Sequence, residues 1–112
     1  MTIAAQHATP PQHFVTQCRS LRGAFEALSY SVDNDETTAD YRAMVAKRLA
    51  DNVALLYQYS LDHDITSDVR VAVTLAEEHM RRAAGLSRDV GEYAYHVAMA
   101  DHNIDNARIR LL

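Results

Sequence analysis

The chain has 112 residues, of which 48% are hydrophobic and 23% charged, enough for one domain with a core of its own and too apolar for a disordered chain. Its formal net charge is -4, which argues against a nucleic-acid backbone as partner, because phosphate binding needs clustered Lys and Arg. One cysteine, Cys18, excludes an internal disulfide and points to a reducing compartment, the cytoplasm.

No apolar run approaches the roughly 20 residues that span a bilayer, so no membrane partner is expected. The N-terminus lacks the basic start and long apolar run of a secretory signal. Residues 1–10 read as a flexible tail, and residues 11–112 as one helical domain.

Helix one is predicted from Pro11, where a missing N–H costs nothing, to Tyr30. Pro10 is expected outside it, because the following proline disfavours helical angles. Phe14, Cys18, Leu21, Phe25 and Leu28 recur at three- and four-residue steps and share one face. A polar turn, Ser31 to Glu36, follows. Thr37 and Asp40 have capping-box spacing, with Asp in place of Glu or Gln. Helix two then runs to about Leu61, with a stripe of Tyr41, Val45, Leu49, Asn52, Leu56 and Tyr59. Asn52 is the odd member, either an edge residue or a buried polar group that fixes register.

Asp62 to Asp64 form the next turn, and Thr66 or Ser67 caps helix three. Its stripe is Val69, Val73, Ala76, Met80 and Ala83. Glu77–Arg81 and Glu78–Arg82 are i,i+4 pairs in the favoured orientation, and Gly85 is a stop. Ser87 or Asp89 starts helix four, with Asp89 and Glu92 spaced as a second capping box. Tyr93, Val97, Ala100, Ile104, Ala107 and Leu111 make its inner face. The stretch Asp101 to Asn106 is poor in helix formers, so it leans on packing or breaks. Short connections favour antiparallel neighbours. The fold class is therefore all-α: a small antiparallel four-helix bundle, up-down-up-down, with a three-helix packing as competitor. The Ser31–Glu36 and Gly85–Asp89 turns should share one end, and the Asp62–Asp64 turn and both termini the other.

A helix that buries one stripe should be polar on its back. Helices three and four are not. Val71 and Leu75 point away from Val73 and Met80. Tyr95 and Met99 point away from Val97 and Ile104, with His102 continuing the line. These five residues are the candidate partner-binding surface, for a protein partner or for a second copy of the chain.

No chemistry emerges with comparable clarity. Glu92 with His96 and Glu78 with His79 resemble the Glu-x-x-His pairs of ferritin-like di-metal bundles, but neither has that spacing. His96 with Asp101 resembles one ligand pair of the hemerythrin family, whose other pairs are missing. Asp101-x-Asn103-x-Asp105 matches the start of an EF-hand loop and lacks its glycine and closing carboxylate. No metal and no cofactor are expected on these grounds. His79 with Arg82 and Ala83 resembles the active segment of histidine-phosphotransfer domains. That resemblance implies His79 as phosphoacceptor and Arg82 as the cation holding the phosphoryl oxygens. Arg stands where that family has Lys. No nucleophile elbow or phosphate-cradling glycine loop occurs.

The sequence thus predicts a non-enzymatic binding protein, an adaptor, regulator or inhibitor, with phosphotransfer at His79 as the alternative. The Ala- and Arg-rich, Lys-poor composition suits a GC-rich bacterial or phage source. By analogy, many small acidic helical proteins of bacteria and phages act by binding, among them anti-CRISPR proteins and toxin antidotes.

Overall fold

The computed structural model describes residues 9–112, and the tail expected over residues 1–10 lies for its first eight residues outside them. Four helices follow in order: α1 Pro10–Asp33, α2 Ala39–Asp62, α3 Ser67–Gly85 and α4 Val90–Ile109. They form a four-helix bundle, and no strand occurs among the described residues.

Three of the four starts carry a side-chain cap, and two of these differ from the sequence expectation; at α3 the N-cap residue is Thr66, one of the two expected, without a side-chain cap bond. Thr9 and Gln12 form a reciprocal capping box at α1, the Gln12 amide donating to Thr9 Oγ1 at 3.3 Å and the Thr9 amide to Gln12 Oε1 at 2.9 Å. This places Pro10 and Pro11 together in the first helical turn. Pro10 is helical after all, because the residue forced into extended backbone is Thr9 (ψ 157°) and the cap bonds offset the cost at Pro10. At α2 the cap is Thr38, whose hydroxyl accepts from the Tyr41 amide at 3.1 Å. Thr37 serves Arg42 instead. Asp89 caps α4 as expected, accepting from the Glu92 amide.

Cys18, Phe14 and Phe25 of α1, Val69, Val73 and Met80 of α3, and Tyr93 and Ile104 of α4 are fully or almost fully buried. The stripes expected for these three helices are therefore the core. The α2 stripe is so only in part: Leu49 and Leu56 are core, and Val45 and Tyr59 pack partly buried against it. Its buried residues are Arg42, Ala46, Leu49, Ala50, Val53, Leu56 and Ser60, while Tyr41 and Asn52 are exposed. Of the two alternatives for Asn52, the edge position is the one found. Glu77 pairs with Arg81 at 2.8 Å, and Glu78 with Arg82 is not among the ion pairs of the described residues.

α4 runs unbroken through Asp101–Asn106. The guanidinium of Arg22 on α1 holds Asp101 at 3.0 Å and Asp105 at 3.1 Å, so ion pairs supply what propensity lacks. The two turns expected at one end do meet there. Buried Arg42 donates from Nε to the Ser87 carbonyl at 2.8 Å and from Nη1 to the Thr37 carbonyl at 2.9 Å. At the other end Arg110 pairs with Asp68 at 3.1 Å.

Neighbours around the bundle are α1–α4, α4–α3 and α3–α2, each packed extensively, whereas α1 and α2 barely touch. One seam of the bundle is therefore open. The molecule measures 49 × 31 × 19 Å, two helix layers thick.

Candidate functional site

The closest polar contact across the α3–α4 seam is His79 Nδ1 against His96 Nδ1 at 2.9 Å. This contact fixes the antiparallel register. Four-residue steps away from it put Leu75 level with Ala100, and Val71 level with Ile104. The five residues of the expected partner surface thus lie on the two helices of one seam. Val71 is 59% exposed, Leu75 40% and Tyr95 54%. Met99 is half-buried and His102 exposed.

His79 and His96 belong to the same face. The Tyr95 ring stands edge-on to both imidazoles, at centroid distances of 6.3 Å and 5.1 Å. His96 is buried at 7% exposure, and its Nε2 faces Glu92 Oε2 at 3.7 Å. His79 is half-buried. Partial burial holds its pKa below the ordinary histidine value, helped by His96 and by the Arg82 charge and opposed by Glu78. A neutral His79 can donate from Nδ1 to His96 or accept from it, but the two nitrogens cannot both carry protons at this separation. Arg82 is thus near His79, as the phosphotransfer resemblance implies, while Nδ1 of His79 is engaged by a second histidine.

Other candidate ligand sets are scattered. Asp101 and Asp105 lie on a helix rather than a calcium loop, and both turn to Arg22 on α1. His96 faces α3, away from Asp101. Among the described residues no group of three or more His, Cys, Asp or Glu is placed to hold a metal ion. Cys18 is buried, and desolvation pushes its thiol up to about 12, which makes it a poor nucleophile.

The open α1–α2 seam forms a second feature, a groove of about 510 Å³. Leu21 and Ala24 line it from α1, and Leu49, Leu55, Leu56 and Tyr59 from α2. Leu55 is 69% exposed on its wall. Rings of His13, Tyr59 and His63 stack at its end, with centroids 4.8 Å and 4.2 Å apart. Sequence reasoning missed this groove. The available signal was Leu55, a leucine off the expected stripe beside Asn52.

Among the described residues no helix is long and apolar enough to cross a membrane. Comparisons with protein-family models, with curated proteins and with solved structures find no match for this chain.

Proposed function

We propose that the chain is a non-enzymatic binding protein that docks another protein chain through the outer α3–α4 face, acting as an adaptor, regulator or inhibitor. The observation that carries this reading is the exposure of Val71 and Leu75 on α3 and of Tyr95 on the neighbouring α4, where half-buried Met99 lies one turn on. Single exposed apolar residues are ordinary, but a cluster that crosses two helices is the pattern of an interaction surface. Tyr and Met at its centre suit an interface core, with His102, Arg82 and Glu92 as polar rim. A lone, buried cysteine suits a reducing compartment such as the cytoplasm.

The test uses Leu75→Glu and Tyr95→Glu. Both side chains point outward, so circular dichroism should show an unchanged helical fold. Each variant should lose the wild-type's co-purifying partner, or its dimer mass by light scattering where the partner is a second copy. Unchanged partner capture together with unchanged mass refutes the reading. Phosphotransfer predicts something different: acid-labile phosphate on His79 after incubation with acetyl phosphate, insensitive to Leu75→Glu.

A further inference from the structure

We propose that the His79–His96 hydrogen bond is a proton-operated latch on the α3–α4 seam, closed while the pair carries at most one extra proton and open when it carries two. Its consequence rests on the docking reading: acid releases what the face around Tyr95 holds. The basis is a count of hydrogens on the ring nitrogens. In the neutral pair one hydrogen lies in the Nδ1–Nδ1 bridge, at 2.9 Å, and one on Nε2 of the accepting ring. The next proton goes to the free Nε2, and the bridge survives as a charge-assisted bond. A further proton finds only the accepting Nδ1 left. It sets two N–H groups head-on across 2.9 Å, between two imidazolium cations, so the rings must part.

The surroundings admit the first charge and resist the second. Glu92 Oε2 of α4 faces His96 Nε2 at 3.7 Å, and Glu78 of α3 favours a charge on His79. Burial, the neighbouring His96 and the Arg82 guanidinium of α3 oppose it. Among the described residues, α1 and α2 contribute no charge acting on His79 and no ion pair to His96. His96 is buried and His79 only half-buried, so His79 is the ring that turns to water. Its departure removes one of the two imidazoles against which the Tyr95 ring stands, one helical turn from Leu75.

The direction of the pH dependence follows. Burial lowers the pKa of His79 from the ordinary 6.5. The unfolded chain therefore takes up that proton first as pH falls. The stability of the closed seam is fully present above the ordinary value and is lost progressively below it.

The experiment records the imidazole nitrogen resonances and the Tyr95 ring resonances of the full chain from about pH 8 to about pH 5, above the carboxylate range. In wild type the pair should titrate in two steps at least about one pH unit apart, and Tyr95 should move with the second. In His79→Gln the side-chain amide offers His96 Nδ1 either a donor or an acceptor, so the contact holds throughout. His96 should then titrate in one step while Tyr95 stays still. His13→Gln, at the far end of the bundle, should behave as wild type. Independent single-step titration of the two rings, no second step in this range, or a Tyr95 signal that ignores it overturns the latch, and the wild-type titration alone decides this. Partner capture, or dimer mass where the partner is a second copy, is then compared at about pH 7.5 and about pH 5. Wild type should lose at least about tenfold in affinity on acidification, and His79→Gln should not. Equal loss in both, or none in wild type, overturns the release. The docking reading fails separately, when Leu75→Glu keeps the association at neutral pH, and that result leaves the titration of the pair untouched.

Discussion

Arg42 enters the end of the bundle with neutral partners: its guanidinium is met by the carbonyls of Ser87 and Thr37 and by the Thr37 hydroxyl. The Tyr93 hydroxyl donates to the Arg42 carbonyl at 2.8 Å, and its ring lies 6.0 Å from the guanidinium. Arg42 thereby pins two turns that belong to different helix pairs. Arg42→Met should cost about 2–3 kcal/mol in urea unfolding, because it strands carbonyls that a charged donor now satisfies. Tyr93→Phe should cost about 1–2 kcal/mol. The double variant should cost less than the two losses added together, since both touch one network. Strict additivity would show that Arg42 and Tyr93 act independently. Cys18 and Tyr93 also set an alkaline limit. Burial raises Cys18 from 9.0 to about 12, against the pull of Arg108, and raises Tyr93 from 10.0 to about 12. The unfolded chain therefore releases these protons first. Below pH 9 neither group makes stability depend on pH. Above it the unfolded state gains by ionising, and stability should fall by about 1.4 kcal/mol per pH unit for each group engaged. Cys18→Ala should flatten the curve between pH 9 and 10, whatever it does to stability at pH 7. A curve that stays steep there would show that another group carries the transition.

At the scale of elements, α4 depends on α1. Its second half holds Asp101, Asn103, Asp105 and Asn106, all weak helix formers. The Arg22 fork on Asp101 and Asp105 compensates, as does the bond from Asn103 Nδ2 to the Met99 carbonyl at 2.8 Å. Arg22→Leu should loosen that half by about 1 kcal/mol. Amide exchange of Asp101–Ile109 should then speed up about fivefold, while α3 is unchanged. Uniform acceleration over all four helices would show a global loss instead. The faces of α1, α3 and α4 were legible because their large apolar residues all serve one core. That of α2 was legible only in part. Besides Leu49 and Leu56 it buries Ala46, Ala50 and Ser60, small residues that a stripe drawn through large side chains passes over, and it leaves Tyr41 and Asn52 exposed. Arg42 was illegible for a related reason, since a charged residue in a stripe reads as surface until its partners are known. The exposure of Val71, Leu75 and Tyr95 was visible from i,i+4 spacing alone. The His79–His96 contact was not, because it depends on the register between two helices, which spacing within either one does not encode.

For the whole molecule, the order of neighbours sets the α1–α2 seam on the opposite side of the bundle from the α3–α4 seam. The two apolar surfaces are therefore separable by mutation. Leu55 and Leu56 are adjacent in sequence and belong to different environments, 69% and 4% exposed. Leu56→Ala should cost about 2–4 kcal/mol, by lost transfer energy and the cavity left behind. Leu55→Asp should fall within about 0.5 kcal/mol of wild type, as a surface change does. Because Leu55 faces away from α3 and α4, its aspartate variant should also keep the partner or dimer that Leu75→Glu loses. Chemical unfolding and light scattering on the three variants read both effects. A wild-type association abolished by Leu55→Asp and preserved in Leu75→Glu would move the docking surface to the groove. In that case α1 and α2, the two helices that barely meet, would be the pair held together by what they bind.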